Sequence, residues 1–92
     1  MKNAALTPTQ QAAYEDMLTR YRDANEKTFE EWAAKYRGVS VDFLRRNYED
    51  TKRGIMSVRL NTRTLRALES KGYIEIGSIG GDWLDRVKLL VF

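Results

Sequence analysis

The chain has 92 residues, a mass of 10.7 kDa, a formal net charge of +3 and a sequence pI near 9.3, enough for one compact domain over 1–92 and too little for two. Hydrophobic residues make up 42% and charged residues 32%, the balance of a folded domain rather than a disordered tail. The lack of Cys excludes disulfides and thiolate chemistry, and the lack of His removes the commonest general base and metal ligand, so polyanion binding is a better expectation than catalysis, and no metal or cofactor is expected.

Thr7-Pro8-Thr9-Gln10 predicts a helix start, with Thr7 as cap, Pro8 in the first turn and Gln10 closing a capping box. Tyr14, Met17, Leu18 and Tyr21 then recur with helical spacing, which predicts a first helix over about 8–24. Thr28-Phe29-Glu30-Glu31 is a second capping box; it opens a helix whose buried face is Phe29, Trp32, Ala33 and Tyr36 and whose C-cap is Gly38. Ser40 caps a third helix lined by Val41, Leu44 and Tyr48, with Phe43 adjacent, and Gly54 ends its basic tail Lys52-Arg53. Ile55 to Leu60 reads either as a short strand or as the approach to the next helix. Asn61 caps a fourth helix carrying Leu65 and Leu68, which stops at Gly72. The period then changes: Ile74 and Ile76 alternate with Tyr73 and Glu75, and Val87, Leu89 and Val91 alternate with Lys88 and Leu90, the pattern of two strands. Gly77 to Asp82 is the turn-rich connection between them. The expected fold class is therefore α+β, mostly helical, with a C-terminal β-hairpin.

Met1 to Leu6 carries one Lys and no long apolar run, and the longest apolar stretch is Leu89 to Phe92. Neither a signal peptide nor a membrane helix is expected, and a cytoplasmic location is.

The charge is unevenly placed. Residues 1–36 hold five basic and six acidic side chains, whereas residues 37–92 hold eleven and seven. Segment 45–71 alone carries Arg45, Arg46, Lys52, Arg53, Arg59, Arg63, Arg66 and Lys71 against Glu49, Asp50 and Glu69. Single cations of this kind commonly just solvate a helix; a cluster of them neutralises phosphates and releases counterions.

Leu60 to Ile74 resembles the recognition helix and first wing strand of winged helix-turn-helix regulators: a capped helix ending in Leu68-Glu69, then Gly72-Tyr73-Ile74, then a hairpin. Leu6 to Gln11 resembles the opening of such domains, and Thr28 to Gly38 the helix that precedes recognition. The resemblance implies a small bacterial or phage transcriptional regulator of repressor type that binds double-stranded DNA sequence-specifically. Its wing would run from Tyr73 to Gly77, turn at Ser78 to Asp82 and return over Leu84 to Val91. The sequence departs from the pattern in having residues 39–60, with a whole extra helix, before the recognition helix. A second reading therefore takes Thr28 to Asp50 as the helix-turn-helix, turning at Gly38-Val39-Ser40 and presenting Arg45, Arg46 and Asn47 to DNA. The fourth helix is preferred because its continuation into a hairpin is the more specific signal.

On that reading Thr62, Arg63 and Arg66 sit in the first turns of the groove helix, where Arg reads guanine and Thr methyls meet thymine. Leu65 and Leu68 face the core. Asn61 either caps or reads a base, and capping is preferred. Arg59, Lys52 and Arg53 are expected at phosphates, and Ser78 and Arg86 at the wing. Trp83, beside the wing tip, would mark a partner surface if exposed. The acidic pairs Glu15-Asp16, Glu30-Glu31 and Glu49-Asp50 do not converge, because helix neighbours point about 100° apart, and no phosphate-loop pattern follows Gly77, Gly80 or Gly81. The rival expectation is a winged-helix protein-interaction module, or an architectural part of a replication or excision complex. Aromatics of the first helix would supply a homodimer face.

Overall fold

The structure, a computed structural model, describes residues 5–78 and 85–90. Helices α1 (Pro8–Glu26), α2 (Phe29–Ala33) and α3 (Val41–Lys52) lead into strand β1 (Ile55–Val58). Helix α4 (Thr62–Ser70) and strands β2 (Ile74–Ser78) and β3 (Asp85–Leu89) follow. The result is a small α+β fold whose three strands form one antiparallel sheet in the order β1-β3-β2.

Local signals explain the helix starts. Both capping boxes form: Thr7 and Thr28 each accept from the backbone N–H three residues on, and Gln10 and Glu31 reach back. Ser40 Oγ accepts from Phe43 N at 3.2 Å. Two glycines close helices in the left-handed region. Gly72 (φ +84°) ends α4 with Tyr73 N donating to Leu68 O and Gly72 N to Glu69 O, which satisfies two carbonyls that the helix end would orphan. Gly54 (φ +86°) follows α3 where a Cβ would stand 3.0 Å from Leu89 O; the chain can enter β1 against β3 at that point because there is no side chain.

The open segment after Gly54 is a strand. Ile55 pairs with Lys88 and Val58 with Asp85. On the other side of β3, Ile74 faces Leu89 and Ile76 faces Val87, and the register then slips, leaving Gly77 as the extra residue of a bulge. Both sheet edges are capped by helix side chains: Arg20 Nη1 donates to Ser57 O at 3.1 Å, and Glu69 Oε2 accepts from Ile76 N at 3.0 Å. Such caps discourage edge-to-edge pairing with other chains.

The main core joins α1, α4 and the sheet through Tyr14, Met17, Met56, Val58, Leu65, Leu68, Ile74, Val87 and Leu89. A second cluster of Ala24, Trp32, Leu44 and Tyr48, with Phe29 and Ala33 against it, ties α2 and α3 to the end of α1. Its ring contacts, Trp32 to Tyr48 at 5.4 Å and Phe29 to Tyr48 at 5.6 Å between centroids, lie in the range where aromatic pairs add to burial.

Three expectations are corrected. Helix α2 stops at Ala33 rather than running to Gly38, so Tyr36 is exposed rather than on a buried face. Val41, expected inside, is also exposed, and Leu44, Tyr48 and Thr51 carry the buried side of α3. The exposed residues of α1 are polar, charged or Ala, apart from Pro8, and Tyr14 is in the core with Tyr21 packed against it; the described α1 surface holds no aromatic dimer face. Among the described residues no helix is long and apolar enough to cross a membrane. Trp83 and wing-tip residues 79–82 lie outside the described residues, as does the side chain of Ser78.

Candidate nucleic-acid interface

Helix α4 is built to present one face. Asn61 Oδ1 accepts from Arg63 N at 2.8 Å, so this side chain is a cap; a base-reading role for it would break that bond. Leu65 and Leu68 are fully buried and fix the helix on α1 and β2. Thr62, Arg63 and Arg66 are exposed, as is Arg59 just before the cap. Thr62 and Arg66 are four apart, and Arg63 and Arg66 three apart, so the three share the outward face. The side chains of Arg59, Arg63 and Arg66 have no ion-pair, hydrogen-bond or cation–π partner among the described residues. Lys71 is different: its Nζ donates to Ala5 O and Gln10 Oε1 at 3.0 and 2.7 Å, tying the end of α4 to the start of α1. A hollow of about 360 Å³ lined by Thr7, Thr9, Gln10, Asn61, Arg63 and Thr64 opens where those two helices begin.

The cations of α3 are used differently. The Arg45 guanidinium lies 4.2 Å over the Phe29 ring, and Lys52 Nζ lies 5.1 Å over Tyr48. Arg53 Nη2 donates to Asp50 Oδ1 at 3.1 Å, and Arg86 Nη2, from β3, donates to Asp50 Oδ2 at 2.5 Å. One carboxylate near the end of α3 thus holds both Arg53 and Arg86, expected at phosphates and at the wing. An acid in that position opposes the helix dipole, and the two guanidinium groups offset it. Arg46 alone among the α3 cations has no side-chain partner among the described residues.

The two helix-turn-helix readings fare unequally as geometry. With α2 ending at Ala33, seven residues (34–40) separate it from α3, not the three-residue turn the second reading requires. Asn47, assigned to DNA there, donates to Phe43 O within its own helix at 3.1 Å. Helix α4 is preceded by β1 rather than by a turn, and the β2–β3 hairpin follows it directly.

No protein-family model, curated protein or solved structure matches the chain. The site is therefore read from its own residues.

Among the described residues the pKa shifts lie at the α1–α2 junction. Lys27, at 2.7 Å, and Lys35, at 3.2 Å, hold the Asp23 carboxyl below its ordinary value. Asp23 in turn raises Lys27. Hydrogen bonds from the Thr28 backbone N–H and hydroxyl lower Glu31. These groups stiffen the joint between the first two helices.

Sequence reasoning missed the double pairing of Asp50 and an apolar groove around Phe43. The first left a faint signal, an acid near a helix C-terminus. The second left a clearer one: Val41, Phe43 and Leu44 crowd adjacent positions that no single helix face holds.

Proposed function

We propose that the chain binds double-stranded DNA as a winged-helix regulator, with α4 in the major groove and the β2–β3 hairpin along the backbone. The observation that carries this reading is the outward face of α4. Thr62, Arg63 and Arg66 stand exposed on a helix anchored by two fully buried leucines. Arg63 and Arg66 have the donor geometry for guanine, and the Thr62 methyl group suits thymine. Arg59, next to the helix start, contacts a phosphate and sets the register. Arg53 and Arg86 contribute less than their number suggests, because Asp50 neutralises part of their charge.

The test is fluorescence anisotropy on a duplex selected from a random library, across a salt series, with wild type beside Arg63→Ala and Arg66→Ala. Affinity for the selected duplex should fall steeply with salt, and both variants should lose preference for it over scrambled DNA. Wild-type affinity no better for the selected duplex than for scrambled DNA would overturn the reading.

A further inference from the structure

Among the described residues the exposed large apolar side chains are Tyr36 (42%), Val39 (39%), Val41 (62%) and Phe43 (55%). All lie within one stretch of eight residues. Tyr36, Val39 and Phe43 line a groove of about 360 Å³ over the buried Trp32, Leu44 and Met56. Tyr36 rests on the Trp32 ring at 5.0 Å between centroids, but the fold does not need Val39, Val41 or Phe43 there: α3 is capped by Ser40 and buries Leu44, Tyr48 and Thr51. Concentrated apolar surface of this kind marks an interaction site more often than a bare monomer face.

The charges around the groove identify what fits it. Arg20, Asp23 and Lys35 line it, and the Asp23 carboxylate is already held by Lys27 and Lys35. Arg37 follows Tyr36 in the chain, and Arg46 lies one turn after Phe43; neither side chain has a partner among the described residues. Asp42 is the one acid beside Phe43 in the chain. The lining of this apolar floor therefore carries two cations, Arg20 and Lys35, against the one carboxylate of Asp23, and Arg46, three residues after Phe43 on α3, extends that basic rim along the helix. Ser57 O on the outer edge of β1 is taken by Arg20, which favours capture of side chains over strand addition.

We propose that this groove docks a short acidic segment of a partner protein. One or two large apolar side chains of that segment insert between Tyr36 and Phe43, and its carboxylates meet Arg37 and Arg46. A second copy of the chain fits less well, because a two-fold contact sets this rim of like charges against itself. Single-stranded nucleic acid would find rings at Tyr36 and Phe43, but the lining also includes the aliphatic Val39, Leu44 and Met56, which favour inserted side chains over stacked bases. The proposal stands independently of DNA binding by α4.

The experiment uses random 12-residue peptides displayed on phage and selected on the immobilised full chain. The best peptides are then labelled and titrated by fluorescence polarisation. The enriched peptides should combine a large apolar anchor with Asp or Glu. Phe43→Ser should weaken them at least about tenfold, as expected for a central anchor, with an unchanged melting temperature and unchanged duplex binding. Val39→Ser, at another lining position, should act in the same direction, and Arg37→Glu with Arg46→Glu should shift the preference towards Lys-bearing peptides. Failure to enrich peptides, or equal binding by wild type and Phe43→Ser, would overturn the proposal. So would a wild-type dimer in sedimentation that Phe43→Ser dissociates, or oligothymidine displacing the peptide from the groove.

Discussion

Helices α3 and α4 both carry arginines, both open on a side-chain cap and both close on a left-handed glycine, yet they spend their cations in different ways. On α3, Arg45 lies on Phe29, Lys52 lies on Tyr48, and Arg53 shares Asp50 with Arg86. On α4, the side chains of Arg63 and Arg66 have no ion-pair, hydrogen-bond or ring partner among the described residues. The formal charge of a segment therefore says little about the charge it offers a ligand. What matters is whether rings and carboxylates stand within reach: Phe29, Tyr48 and Asp50 stand beside the α3 cations, and no described ring or carboxylate pairs with Arg63 or Arg66.

The comparison breaks first if α4 is not held as rigidly as its buried leucines imply. Leu65→Ala or Leu68→Ala should each cost about 2–5 kcal/mol in urea unfolding, because each leaves a cavity in the main core. A loss well under that range would mean a mobile α4 whose exposed face is not preorganised.

The next contrast is between arginines. Arg63→Ala and Arg66→Ala should each cost about 1–3 kcal/mol of binding to a selected duplex and leave stability unchanged. Arg45→Ala should do the reverse, lowering stability by about 0.5–1 kcal/mol through its lost ring contact, with little change in duplex affinity. Anisotropy and thermal melts on the same three variants read both sides.

Asp50→Asn sharpens the comparison from the other direction. It frees Arg53 and Arg86, so duplex affinity at low salt should rise by a few-fold, and the salt dependence should steepen by about one to two phosphate contacts. An unchanged salt slope would show that neither arginine reaches DNA even when released.

The smallest effect concerns pH at the α1–α2 joint. The pKa of Glu31 in the folded chain lies below its ordinary value of 4.5, so its stabilising contribution is complete above pH 4.5. That contribution is lost as the pH falls from there through the lowered folded value. The melting temperature of wild type should therefore drop faster below pH 4.5 than that of Glu31→Gln, whose amide caps Thr28 without titrating. Parallel melting curves for the two down to pH 3 would remove the capping carboxylate from the account.

Much of the fold is local and was legible on that ground. The caps at Thr7, Thr28, Ser40 and Asn61 each satisfy a backbone N–H two or three residues away, and the terminators Gly54 and Gly72 act within their own turns. The alternation around Ile74 and Val87 fixes which side of each strand meets the core. Within α4, the split between buried Leu65 and Leu68 and exposed Thr62, Arg63 and Arg66 follows from helical period alone. The expectation for α2 failed because Phe29, Trp32, Ala33 and Tyr36 have helical spacing whether or not the helix continues. Trp32 and Phe29 find Tyr48 across the cluster, whereas Tyr36 meets only one side of the Trp32 ring, at 5.0 Å between centroids, and stays exposed beyond the helix end.

The amino-acid order by itself set the helix starts, the stops at Gly54 and Gly72, the two alternating strands and the outward face of α4, because each rests on hydrogen bonds or periodicity within a few residues. Tertiary structure decided the rest. Strand β1 became an edge of the sheet because β3, about thirty residues on, lies beside it. Arg86 lost part of its charge to Asp50, 36 residues earlier. The exposed stretch from Tyr36 to Phe43 became the lip of a groove because α1 and β1 close its other side. Contacts over such separations depend on how the elements pack, which no local pattern in the chain records.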